Sequence, residues 1–347
     1  MEVNVKQLKA RWQTPEGQDL QVRVLHALRK GRKLEGMDGV GLVNGRFDLR
    51  GLAVPRPEVT GSSAFKNYEL SFLSGRIEFR RIILDNADLS YSDFTDVIWK
   101  NCNLSNVDFR SARLRGVGFW SCSLTNISFD GSDLRDAVLD GANGSSPSSF
   151  VDVNFCKVNL ESTGGGLPLF RNCDFSNANL RKVDFDGARF ENCKFAGLLY
   201  DVAFRPHASI YVASALPWQR LDPKKFTNRM EFVDFSQADL RYVGFNGVDL
   251  SSCTFPCDEN HLVIRSQRQV FLRAVDVISS EWQDPERTSA LRMIDNIYIR
   301  PGIREGRQPS AEQIAQPIEV VNRLDLRETL KPGVGDRVFD LLRVLAA

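Results

Sequence analysis

From Phe79 onward a large apolar residue falls on every fifth position: Phe79, Leu84, Leu89, Phe94, Trp99, Leu104, Phe109, Leu114, Phe119, Leu124, Phe129, Leu134 and Leu139. Two residues before each stands a small or β-branched one, from Ile77, Ile82 and Ala87 through Cys102, Ala112 and Cys122 to Ser132 and Ala137. The other three positions of each unit are mostly Asp, Asn, Ser, Arg and Gly. Period five suits neither ordinary element. On an α-helix each step of five turns about 140°, which scatters the large residues around the axis. On a plain strand five is odd, so successive large residues point to opposite faces. Both apolar positions stay inside only if the chain turns a corner every five residues and coils about its own interior.

A second period predicts how many corners make one turn. Side chains match in kind at a spacing of 20: Cys102 with Cys122, Cys173 with Cys193, Leu84 with Leu104 and Leu124, and Asn86 with Asn106 and Asn126. Four corners per turn give a square coil of 20 residues, with turns stacked at roughly 4.8 Å. In that coil the asparagines are expected to form a ladder, each amide bonded to the next turn.

The segment "NADLSYSDFTDVIWKNCNLSNVDF" resembles the pentapeptide-repeat family, whose consensus alternates a small residue, Asp or Asn, and Leu or Phe. The resemblance implies an all-β solenoid: a right-handed, parallel, quadrilateral β-helix, here with α-helical N-terminal and C-terminal flanking regions. After Leu139 the phase slips through "DGANGSSPSS" and resumes at Phe150, Phe155 and Leu160. "ESTGGGLPL" replaces one unit, and Phe170 to Phe195 follow in phase. Tyr200 to Arg229 break the pattern, and a last run covers Phe235, Leu240, Phe245, Leu250 and Phe255. Of 23 phenylalanines, 15 sit at repeat centres, so most of the aromatic content is assigned to the interior. About seven turns are expected, in a rod near 35 Å long. Leu42, Phe47 and Leu52 hint at a degenerate first turn.

A solenoid must cover its ends, where backbone and core would otherwise be exposed. The expected division is a helical cap at 1–40, the repeat coil at 41–257 with loops near 140–149, 161–169 and 200–229, and a helical region at 258–347. Thr14 and Pro15 open the first helix and Gly31 closes it, with Leu20, Val24, Leu25 and Leu28 on one face. "SQRQVFLRAVDVISSEW", "PERTSALRMIDNIYIR" and "GDRVFDLLRVLAA" read as amphipathic helices. In relatives a shorter C-terminal helix pairs two rods, so a homodimer through this region is one implied arrangement.

Charge and chemistry narrow the function. The formal net charge is +1, which favours neither direct nucleic-acid binding nor a membrane surface. Residues 1–64 carry 11 basic and 7 acidic side chains, a net of +4; residues 85–140 carry 5 and 9, a net of −4. The N-terminal sequence has no apolar run of signal-peptide type, and the expected location is cytoplasmic. Seven cysteines without an export signal read as reduced thiols. The three histidines, His26, His207 and His261, lie far apart in sequence, without metal-ligand spacing. "STGGGLP" lacks the Lys-Ser/Thr of a phosphate loop. Neither a catalytic site, a cofactor nor a metal is expected.

What remains is surface. Trp120 follows the centre Phe119 and is expected to point outward beside Lys100 and Arg80, either as an exposed partner contact or capped by an adjoining loop or flank. Asp88 and Asp108 belong to the aspartates preceding repeat centres, which on two adjoining faces are expected to form a shallow acidic patch. The loop between Tyr200 and Arg229 offers His207, Trp218, Lys224 and Lys225. The expected function is a non-catalytic protein-binding β-helix. The resemblance implies, in its most specific form, a bacterial DNA mimic that protects or modulates a type II topoisomerase such as DNA gyrase against antibiotics. The alternative is an immunity, regulatory or assembly scaffold for another protein. A continuous acidic stripe favours mimicry; mixed charge with an exposed aromatic patch favours some other protein partner.

Overall fold

A computed structural model describes residues 4–55, 76–140, 146–164, 167–185, 187–205, 229–245, 248–296 and 318–347. Successive units pair in parallel at intervals of 20. Glu78–Arg80 pairs with Ile98–Lys100 and that with Gly118–Trp120. Ile83–Asp85, Asn103–Ser105 and Ser123–Thr125 continue through Ser149–Val151, Leu169–Arg171 and Arg189–Glu191 to Met230–Glu231. Single bridges extend two further stacks, Asp88 to Asp108 to Ser128 and Asp93 to Arg113 to Asp133. The chain visits these four stacks in order and returns to the first, the connectivity of a parallel β-solenoid.

The corner chemistry explains the unit of five. In the turn after Phe109, the N–H of Ala112 donates to the Phe109 carbonyl, and Ser111 between them has φ of 54°. This is the left-handed third position of a type II turn, which Asn, Asp, Ser and Gly tolerate best. The same positive φ recurs at Asn86, Asp96, Asn106, Asn126, Asn172 and Asn192. The asparagine ladder is partly as expected. Asn126 Nδ2 donates to Asn106 Oδ1 at 2.6 Å, but Asn106 and Asn86 both turn to the Asp85 carboxylate. An ionised acceptor makes the stronger bond and wins the amides.

Inside, one face carries a column of parallel rings. Phe109, Phe129, Phe155, Phe175, Phe195, Phe235 and Phe255 stack in succession at 4.7 to 5.7 Å between centroids. On this face centres run from Leu49 and Leu89 to Phe255, nine layers rather than about seven. Leu49 to Val54 add a turn in register at the start of the coil, and on another face the repeat continues past Tyr200. Val202 and Phe204 are buried, and Ala203 bridges Asp184 and Gly244. Cys102, Cys122, Cys173, Cys193 and Cys253 line the interior as free thiols.

At the N-terminal end, α1 (Val5–Ala10) and α2 (Pro15–Arg29) lie over the first turn. Thr14 Oγ1 accepts from Gly17 N at 3.1 Å. Gly17 has no room for a side chain, because a Cβ would lie 1.9 Å from the Arg11 carbonyl oxygen. Arg11 donates twice to the Asp48 carboxylate at 2.8 Å, and Trp12 Nε1 donates to the Arg50 carbonyl. Burial pushes the Asp48 pKa up, but hydrogen bonds from Arg50 and Arg11 outweigh it and hold the carboxyl well below its usual value. A depressed folded pKa contributes stability above the unfolded pKa of about 4, lost as pH falls through the folded value. Amide protection factors across residues 5–29, taken relative to intrinsic exchange rates, are therefore expected to fall below about pH 4. In Asp48→Asn they should already be low at neutral pH, without that acid dependence.

At the other end, α3 (Gln267–Glu281), α4 (Glu286–Ile294), α5 (Arg323–Thr329) and α6 (Val334–Ala346) enclose a second core around Phe271, Ile278, Val338 and Phe339. This region also contains an antiparallel strand pair, His261–Ile264 with Glu319–Asn322. These strands are four residues long and 54 residues apart in sequence, so no periodicity or hairpin signal marks them. No helix among the described residues is long and apolar enough to cross a membrane.

Candidate protein-binding surface

The outward positions of each unit flank its centre, and the structure assigns them two different tasks. The residue before the centre mostly serves the backbone. Oδ1 of Asp88, Asp93, Asp108, Asp133, Asp174, Asp234 and Asp249 accepts the N–H two residues on, at 2.8 to 3.2 Å. Asn154, Asn159 and Asn179 do the same. These Asx turns satisfy a corner amide that the next coil does not reach.

Arginines then neutralise many of the carboxylates. Asp108, 2% exposed, receives Arg110 at 2.7 Å and Arg46 at 3.5 Å. Asp133 pairs with Arg135, Asp136 with Arg115, Asp96 with Arg76 and Asp184 with Arg205. Hydrogen bonding to Arg135, set against burial, lowers the Asp133 pKa. The expected acidic patch is thus an ion-paired lattice. Asp88 and Asp108, expected as contact residues, are buried in turns instead, because an Asp one residue before a centre can reach its own backbone.

Arg80, Lys100 and Trp120 do come together, as one outward column on three paired strands. The Lys100 ammonium lies 5.6 Å from the Trp120 ring centroid. Trp120 is only 6% exposed, so of the two expected arrangements it is covered rather than an open contact. Its indole lies across Gly118, where a Cβ would meet Nε1 at 2.9 Å. Ile98, outward on the same face, is fully buried. The cations of this column are the accessible part, with Arg80 paired to Glu78 beside it. His207, Trp218, Lys224 and Lys225 lie outside the described residues.

Sequence reasoning missed the polar seam where the C-terminal region meets the coil. His261 Nδ1 bonds the Asp258 carboxylate at 2.9 Å, which leaves Nε2 to accept from Leu240 N at 3.0 Å. Asn322 Nδ2 donates to the Leu240 carbonyl at 2.8 Å, and its Oδ1 accepts from Leu324 N as the cap of α5. Asp325 accepts from Tyr242 N at 2.7 Å and pairs with Arg241. Burial raises the Asp325 pKa overall, with Tyr242 and Arg241 opposing the rise. The only hint in the sequence was a lone histidine just past the last repeat.

Comparison with known proteins recovers the repeat. Residues 75–144 match the family model of the pentapeptide repeat region, and residues 169–197 and 229–255 match that of pentapeptide repeats. Those segments are pentapeptide repeats. Its solved neighbours include Rfr23, a pentapeptide repeat protein from the cyanobacterium Cyanothece 51142, at 17% identity over 36% of this chain and 92% of that one, with a TM-score of 0.31. A trypsin-treated form of QnrB1, a plasmid-mediated fluoroquinolone resistance protein, is 14% identical over 61% of this chain and 83% of that one, with a TM-score of 0.33. HetL, a pentapeptide repeat protein involved in heterocyst differentiation regulation from Nostoc sp. strain PCC 7120, is 19% identical over 52% and 90%, with a TM-score of 0.19. No curated protein sequence matches the chain.

Proposed function

We propose that this chain is a non-catalytic protein-binding scaffold whose coil closes as a right-handed quadrilateral β-helix. The observation that carries this reading is the ion-paired lattice over a filled interior. Stacked rings occupy the inside of the coil, and the carboxylates outside are committed to turns and arginines rather than converging as acid and base. Among the described residues no group of three or more His, Cys, Asp or Glu is placed to hold a metal ion.

The most specific form of the reading is a DNA mimic acting on a type II topoisomerase. A mimic needs a continuous row of free carboxylates in place of phosphates. Pairing of Asp93, Asp96, Asp108, Asp133 and Asp136 with arginines interrupts such a row. The mixed charge supports the broader form, an immunity, regulatory or assembly scaffold for another protein. The test combines two measurements. Gyrase supercoiling in the presence of a quinolone is expected to be unaffected by the purified protein, and protection would restore the mimicry form. Affinity capture from the source cells is expected to retain a stoichiometric protein partner. Failure to retain one would overturn the scaffold reading itself.

A further inference from the structure

One group of cations stands apart from the lattice. Arg29, Lys30, Arg32 and Lys33 follow one another around Gly31 at the end of α2, and all are exposed. Gly31 has φ of 62°, and the N–H of Arg32 donates to the Ala27 carbonyl, which folds the chain back at that point. The fold sets this turn on the coil: a Cβ on Gly31 would lie 3.5 Å from the carbonyl oxygen of Arg81. Arg81 is exposed at the corner next to Arg80, and Arg80 is in register with Lys100. Seven cations therefore form one strip from the helix end onto the coil, with Glu78 as the carboxylate paired within it.

Two of them have a local explanation. Arg29 and Lys30 complement the negative end of the α2 dipole. Arg32, Lys33 and Arg81 lie outside the helix. Among the described residues these three make no ion pair, whereas the arginines of the neighbouring faces are held by carboxylates.

We infer that this strip is a docking surface for an acidic segment of a partner protein, a conclusion that rests on the scaffold reading above. Charge complementarity selects the occupant. At the far corner of the same face Asp96 pairs with Arg76 and Asp136 with Arg115, so the unpaired cations end there and the strip suits a short acidic segment rather than the long phosphate surface of a duplex. Single-stranded nucleic acid needs exposed rings for stacking, and Trp120 is buried. The polarity is thus the reverse of DNA mimicry: the scaffold supplies the cations and its partner the carboxylates.

The test uses the full chain and a fluorescein-labelled poly-glutamate peptide of about 20 residues, read by anisotropy at low salt, where surface charges are least screened. Arg32→Glu with Lys33→Glu is expected to weaken binding at least about tenfold, since both side chains are exposed and make no pair whose loss would unfold the protein. Arg115→Glu, on the lattice, should change it little. Equal affinity of the double variant and the wild type would overturn the inference. So would tighter binding to a 20-base-pair duplex or to phosphatidylserine vesicles. A cellular partner retained equally by the double variant would sink this surface while leaving the scaffold reading intact.

Discussion

Phe175→Ala is expected to destabilise the coil by about 3–5 kcal/mol, the range for a buried aromatic truncated in a core that cannot collapse. Phe175 is fully buried and lies 4.7 Å from both Phe155 and Phe195, its ring within 3° of parallel to each. The backbone cannot close the gap, because strand hydrogen bonds hold neighbouring coils at one fixed spacing. The N–H of Phe175 donates to the Lys194 carbonyl at 2.8 Å, and Phe155 to the Asp174 carbonyl at 2.8 Å. The cavity therefore persists. Nearest-neighbour coupling adds a second effect: a weak layer in the middle of a solenoid separates the coils on either side. Urea unfolding followed by fluorescence should show a lower midpoint and a broadened or split transition. A loss below about 1 kcal/mol with unchanged cooperativity would mean that the layers relax inward, contrary to the stacked-ring account.

Asn322→Ala is the second large effect expected, at about 2–4 kcal/mol for a buried side chain that satisfies two partners at once. Leu240 belongs to the last coil of its stack, so its N–H and carbonyl have no further coil to pair with. His261 and Asn322 take that place from the C-terminal region. Removing the amide leaves the Leu240 carbonyl without its donor and α5 without its cap. His261 keeps Asp258 and the Leu240 N–H but loses the Asn322 amide beside its Nε2. The expected outcome is local. Limited proteolysis should cut within 258–347 at protease concentrations that leave the wild type intact, while protection within 79–255 is preserved. Asn322→Asp separates the two roles, since it keeps the cap acceptor and loses the donor. It should fall between wild type and alanine. Protection equal to wild type in both variants would show that the hydrophobic contacts of Ile318, Val320 and Val263 with the coil core suffice alone.

The coil was legible because its rule is local and repeated. A period of five with paired apolar positions has one geometric solution, and thirteen units in phase leave no competing register. The candidate surface was legible only in part. Arg80, Lys100 and Trp120 were correctly placed in one column by the period of 20, but periodicity fixes which way a side chain leaves the coil and not what lies over it. Trp120 points outward and is nonetheless buried. The aspartates were misjudged for a related reason. Their position marks them as outward, yet a carboxylate one bond from the backbone finds the corner N–H before it meets solvent, and the arginines beside it are neighbours in space as often as in sequence. Asp85 receives Asn106 and Ser105 from the next coil, 21 and 20 residues away.

By itself, then, the amino-acid order determined the coil, its corners and its filled interior, since each depends on contacts at separations of 3, 5 and 20 that a reader can count. Tertiary structure decided the rest. The seam at Leu240 joins residues 21 and 82 apart, and the basic strip joins the end of α2 to a corner some fifty residues later. Such contacts follow from how a helical end settles on a rod, through burial and hydrogen bonding that no repeat length encodes.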